Sequence, residues 1–479
     1  MRKKVNYEID MTNGPLLGKI IRFSVSLMLT NMLQLLYNAA DLIVVGQFSA
    51  SSNTAVGAIG ATGSLTSLIV NAFIGLSVGA SVLVARGYGT GDREATQKAV
   101  HTSISIALIS GVIVAVIGLL FSRTFLEWMD TSAAIIDQSA LYMKIYFIGA
   151  PFNMLYNFGS SVLRATGDTK RPLYFLTLSG AVNVILNIVF VLVFHMDVAG
   201  VALATIISQM ISAVLVIVCL MRQHTMCRLV LKKLRIHADV MAQIFKIGLP
   251  ACIQNSVFSI SNMLIQSSIN SFDVPYVAVN RTPYTSGSAA SSNIETFINM
   301  SMNSLYHAAL NFTGQNYAAG EYKRTKKILG QCVACVTVVG VVLGAIGLVF
   351  GESLLRIYIP KDPEAVAFGY RRLVIICSTY FLCGIMDTHV GVLRGMGYSI
   401  MPMIVPMAVS IIGICGFRIA WIHTYFAAHR TWEVLFWSYP ISWILTASAH
   451  FICYLIISRK FPKQKAKTEE PASVRSAVS

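Results

Sequence analysis

The feature that most constrains this chain is its succession of charge-free apolar runs, each about as long as a bilayer is thick. Ala99–Phe121, Leu173–Phe194, Val198–Leu220, Ile328–Phe350 and Leu435–Ile457 are the clearest. A helix crossing the hydrocarbon needs about 20 such residues. In lipid only helices and closed barrels satisfy their own backbone, and these runs lack the alternating pattern of barrel strands. Only 12% of the 479 residues are charged, against roughly 25% in soluble domains, so a water-soluble surface could not be covered. The predicted fold is an all-α membrane protein of twelve transmembrane helices, with the lipid bilayer as its first partner.

A formal charge of +16 would suit nucleic acid, but the basic residues are sorted by loop. They occupy the N-terminal tail and the loops after the second span (Arg86, Arg93, Lys98) and fourth span (Arg164, Lys170, Arg171). They recur in the central connection (Arg222 to Arg235), after the eighth span (Lys323, Arg324, Lys326, Lys327) and in the tail from Arg459. The opposite loops hold Glu127, Asp130, Asp197, Glu352, Asp362 and Glu433. Under the positive-inside rule both termini are expected in the cytoplasm. The charge then reports topology and attraction to anionic lipid, no nucleic-acid partner is expected, and Arg86 and Arg164 are read as topology determinants. Met1-Arg-Lys-Lys runs into a polar stretch instead of an apolar core, so no cleaved leader is expected. The nine cysteines lie in or beside apolar segments and read as small buried hydrophobes, the Cys332–Cys335 spacing included.

Residues 1–220 superimpose in pattern on residues 240–458. Arg86-Gly-Tyr-Gly-Thr-Gly91-Asp92 faces Gln315-Asn-Tyr-Ala-Ala-Gly320-Glu321, and Val162-Leu-Arg164-Ala-Thr-Gly167 faces Val392-Leu-Arg394-Gly-Met-Gly397. The chain thus divides into an N-terminal lobe (1–220), a basic amphipathic cytoplasmic linker (221–242), a C-terminal lobe (243–458) and a tail (459–479). Two pseudo-symmetric six-helix lobes that rock about a midplane site are the mark of a transporter. No Walker loop, H-E-x-x-H or nucleophile elbow is present, so no enzymatic activity is expected.

Ionisable residues inside spans are costly and mark function. Five are counted: Asp41, Lys144, Glu295, Asp387 and Arg418. Asp41 shares a helical face with Tyr37 and Asn38; Asn153 and Asn157 in the fourth span and Asn183 and Asn187 in the fifth are expected to join it in a polar pocket. A carboxylate there suits a site that binds a cation or changes protonation. Asp387 and Arg418 are expected to pair, and Glu295 is placed toward the outer half of its span.

Tyr37-Asn-Ala-Ala-Asp41-Leu-Ile-Val-Val-Gly46, Leu163-Arg-Ala-Thr-Gly-Asp168, Gly314-Gln-Asn-Tyr317 and Leu393-Arg-Gly-Met-Gly397 resemble the multidrug and toxic compound extrusion family. The resemblance covers residues 14 to about 458. It implies multidrug efflux of small organic cations by Na⁺ or H⁺ antiport, with no cofactor beyond the coupling ion and a functional monomer. It places the coupling acid at Asp41 and the fifth-span motif at Asn183 and Asn187. Members often carry an acid at the position of Asn187, and some carry a seventh-span glutamate where this chain has Gln254 and Asn255. The rival is a lipid-linked oligosaccharide flippase, for which a strongly cationic cleft would be expected.

Overall fold

A computed structural model describes residues 7–48, 52–129, 131, 135–223, 225–275, 282–360, 362–397, 408–409 and 411–461. Among them all regular structure is helical. The first lobe comprises α1 (Leu16–Phe48), α2 (Ser52–Thr90), α3 (Arg93–Trp128), α4 (Ile136–Ile148) continued by α5 (Ala150–Ala165), α6 (Lys170–Ile188) and α7 (Asp197–Arg222). The second comprises α8 (Ala238–Asn270), α9 (Pro283–Ala318), α10 (Tyr322–Val349), the short α11 (Gly351–Tyr358), α12 (Pro363–Met396), α13 (Phe417–Trp421) between two π-helical turns, and α14 (Trp432–Arg459). With α4 and α5 forming one crossing, this is the twelve-span, two-lobe fold.

By length and composition seven helical stretches among the described residues qualify as spans outright. Others, such as α9, carry many small and polar residues and are buried along much of their length. Lipid-facing surface is apolar instead: Val112, Val116 and Leu120 form an exposed i, i+4 stripe on α3, opposite buried Ser103, Ser110 and Ser122.

Small residues bring the helices together, as van der Waals packing in lipid demands. Gly391 and Gly395 of α12 rest on the carbonyls of Tyr306 and Leu310, four apart on α9. Across the lobe boundary Gly75 and Gly79 of α2 meet Cys252 and Ile244 of α8. A Cβ at position 79 would lie 2.4 Å from the Ile244 carbonyl oxygen. Gly79→Leu should therefore wedge this seam apart and raise maleimide labelling of Cys252, now 6% exposed, as read by peptide mass spectrometry. Unchanged labelling would show that the seam tolerates the wedge.

The repeat seen in the sequence has a conformational counterpart. Gly91 and Gly320 have φ of 72° and 75°, and Gly167 and Gly397 have φ of 94° and 47°. Each pair reverses the chain where left-handed backbone is open to glycine.

Hydrogen bonds between the lobes gather at the end that carries the basic loops. Arg86 donates to the Gly397 carbonyl at 3.0 Å and Gln315 to the Ala165 carbonyl at 2.6 Å. The N-terminal stretch lies across both lobes: Ile9 N–H donates to Gly167, while Arg324 on α10 donates to the carbonyls of Met11, Asn13 and Gly14. Among its described residues the connection between lobes contains one 3₁₀ turn, Leu231–Lys233. It is tied to α3 by Val230 N–H donating to His101 and His237 N–H donating to Thr102.

Candidate functional site

Two cavities share a wall inside the bundle. A chamber of about 260 Å³ lies within the first lobe, lined by Tyr37 and Asp41 of α1, Asn153 and Asn157 of α5, Asn183 of α6 and Thr205 of α7. A central cavity of about 480 Å³ lies between the lobes, and Asn31, Gln34, Tyr156 and Asn157 border both.

In the chamber, Asp41 is 8% exposed. Its Oδ1 accepts a hydrogen bond from Asn187 Nδ2 at 2.5 Å, and Thr205 Oγ1 lies 3.4 Å from Oδ2. Asn187 also donates to Asn183 Oδ1 at 3.3 Å, since the two are one helical turn apart on α6. No cation pairs with Asp41 among the described residues. The Oδ1 of Asn187, fully buried, has no donor. A lone carboxylate is thus surrounded by hydroxyl and amide oxygens, one of them unsatisfied. That is a place for a proton or a hard monovalent cation, since buried polar atoms otherwise find partners.

Tyr37 packs face-on against Gly180, where a Cβ would sit 1.8 Å from its ring. If the chain exports as the resemblance implies, Gly180→Ala should push Tyr37 out of the chamber and cut that export several-fold with Asp41 untouched. The measurement is transport in proteoliposomes, and wild-type rates would show that Tyr37 has no positional role. Asn38 lies in α1, but its side chain is outside the described residues.

The central cavity receives the remaining candidates, with two corrections. Asp387 and Arg418 both line it, yet they do not pair. Arg418 donates to Ser442 Oγ (3.3 Å) and Asn262 Oδ1 (3.4 Å) and stacks over Tyr439 at 4.0 Å. Arg418 follows a π-helical turn and faces α14, where Ser442 and Tyr439 hold it. Glu295 reaches the cavity wall, but as half of a buried bidentate ion pair with Arg372, at 2.8 and 2.7 Å. Arg372 also donates to the Ser288 hydroxyl and lies 5.1 Å from the Phe436 ring centroid.

Arg372 is therefore a sixth intramembrane charge that the sequence count omitted. Arg164 is corrected as well: it belongs to the last turn of α5 and lines the central cavity. Lys144 is exposed and lines neither cavity.

The family model MatE matches residues 26–189 and 250–417, one segment in each lobe. The chain belongs to the MatE family. It is 27% identical over 404 residues, 83% of this chain and 84% of the relative, to the probable multidrug resistance protein YoeA of Bacillus subtilis (strain 168). With the probable multidrug resistance protein YpnP of the same organism it shares 28% over 390 residues, covering 81% and 84%. Its fold matches that of a multidrug resistance MATE family transporter in an outward-facing conformation, with TM-score 0.84, 18% identity, and 96% and 100% of the two chains covered. Within the MatE fold Asp41 and its amide partners fall in the first matched segment, and Glu295, Arg372 and Asp387 fall in the second.

Proposed function

We propose that this MatE-family membrane protein is a secondary active exporter of amphiphilic organic compounds, driven by inward movement of Na⁺ or H⁺ through the Asp41 chamber. The observation that carries the reading is the buried carboxylate of Asp41, which has no cationic side chain paired with it among the described residues and is bonded to Asn187, whose own oxygen lacks a donor among them. Either coupling ion fits. A proton on Asp41 gives it a donor for Asn187, and Na⁺ finds the carboxylate with the oxygens of Asn183, Asn187 and Thr205 around it. The chamber is too small for most drug-sized molecules, whose sites occupy about 300–1,000 Å³; the central cavity is of that size.

Two further features support alternating access. The lobes meet at the end with the basic loops, so the central cavity is closed toward the cytoplasm if the termini lie there. The two cavities also share a wall, so an ion at Asp41 and a cargo between the lobes act on the same α1 and α5 side chains. A single chain builds both cavities, as a functional monomer in the bacterial inner membrane requires. Coupling follows if ion and cargo differ in affinity between the outward and inward states.

The test is transport of a fluorescent amphiphile in proteoliposomes with Na⁺ and pH gradients imposed separately. One gradient should drive uphill movement. If neither does, for dyes of either charge, the exporter reading fails.

A further inference from the structure

We infer that the central cavity receives its cargo through an anionic group, a carboxylate, phosphate or sulfonate on an apolar body, held between Arg164 and Arg394. The inference deepens the exporter reading and rests on it for the role of cargo, though not for binding. Three guanidiniums line the cavity, from Arg164, Arg394 and Arg418. Of the two carboxylates on its wall, Glu295 is already matched by Arg372. Asp387 alone opposes three cations, which leaves an excess of two positive charges.

None of the three guanidiniums makes a contact ion pair among the described residues; their hydrogen-bond partners are neutral, and Asp387 acts on Arg394 only through space. Arg394 donates to Tyr306 Oη (2.8 Å) and Gln254 Oε1 (2.6 Å). Arg164 donates to Ser161 Oγ (2.7 Å), and its buried Nε has no acceptor. Hydroxyl and amide oxygens hold these side chains in place without cancelling their charge. A cavity with low-dielectric walls strengthens the attraction for an anion and the repulsion of a cation. Guanidinium also presents paired donors that match carboxylate and phosphate oxygens.

Arg164 and Arg394 stand at equivalent positions of the internal repeat, one at the end of α5 and one at the end of α12. Each lobe thus contributes the same group to one cavity. An anion bridging them binds best when the lobes hold both guanidiniums together, which makes binding sensitive to the lobe arrangement. For the apolar body of the cargo, Phe258, Met386 and Trp443 line the same cavity.

Fluorescein and rhodamine 6G share a xanthene core and differ in charge, so their binding to the full-length protein in uncharged maltoside micelles, read by fluorescence polarisation, tests the inference. Fluorescein should bind the tighter of the two. Arg394→Gln should weaken it by about ten-fold, the loss of one charge-assisted hydrogen bond. Arg394→Lys should recover part of the affinity, which a folding defect would not allow. Lys144→Gln removes an exposed charge outside both cavities and should leave binding unchanged.

Tighter rhodamine 6G, or fluorescein binding unaffected in the Arg164→Gln/Arg394→Gln double variant, would overturn the inference. Displacement of fluorescein by dihexanoyl phosphatidylglycerol, with none by benzoate, would overturn the soluble cargo in favour of a lipid headgroup. If fluorescein binds as expected but no gradient moves a dye of either charge, the exporter reading fails and the anion site stands.

Discussion

Asp41→Asn should reduce gradient-driven export to background while the protein still inserts and elutes as a folded species. Asn keeps the size of the side chain and an oxygen to accept from Asn187, so the 2.5 Å contact between α1 and α6 survives in kind. What disappears is the charge. At ~4 Å and an effective dielectric of about 20, a carboxylate attracts a monovalent cation by about 4 kcal/mol, roughly a thousand-fold in ion affinity. Without it the two states no longer differ in affinity for the coupling ion, and a gradient has nothing to act on. Transport at the wild-type rate by this variant would remove Asp41 from coupling.

Arg372→Met should be the most destabilising single change in the second lobe. It strands Glu295, 7% exposed, without the guanidinium that meets it at 2.7 Å, and breaking a buried pair from one side costs about 3–5 kcal/mol. Thermal unfolding in detergent should fall by several degrees. The double variant Arg372→Met/Glu295→Gln should regain most of the loss, because no buried charge remains unmatched. If the single variant melts with the wild type, the pair is not structural. If the double variant is no better than the single, packing against Phe436 and not charge is what Arg372 supplies.

The contrast between these two acids shows what the sequence made legible. Asp41 and the α6 amides were readable because a lone acid in an apolar run and two Asn one turn apart each define a face, and the structure brings Asp41, Asn183 and Asn187 into one hydrogen-bonded group. Thr205 was not readable. Its hydroxyl also bonds the Val201 carbonyl four residues back, as solitary threonines in apolar helices ordinarily do.

Arg372 was missed because Arg371-Arg372 at the start of a span reads as an interfacial pair. Successive helical positions differ by about 100°, so Arg371 turns out toward Glu433 (3.5 Å) while Arg372 turns in toward Glu295. Arg164 and Arg394 were visible as repeat landmarks. That the ends of α5 and α12 open onto a common cavity depends on how the lobes lean, and no local pattern records that. The lobes themselves were legible through landmarks whose glycines prove to be the turning points of the backbone.

The stretch from Ile9 to Gly14 has a consequence for motion. It is bonded to the first lobe at Gly167, and its carbonyls are grasped from the second lobe by Arg324 and Asn316. In the proposed cycle, if this is the end that opens, the clasp must be unfastened first, at about 1.5–3 kcal/mol for each hydrogen bond to a charged donor. Under that cycle the stretch from Ile9 to Gly14 would work as a latch between the lobes, and the rate of opening there would be set by contacts that line neither cavity.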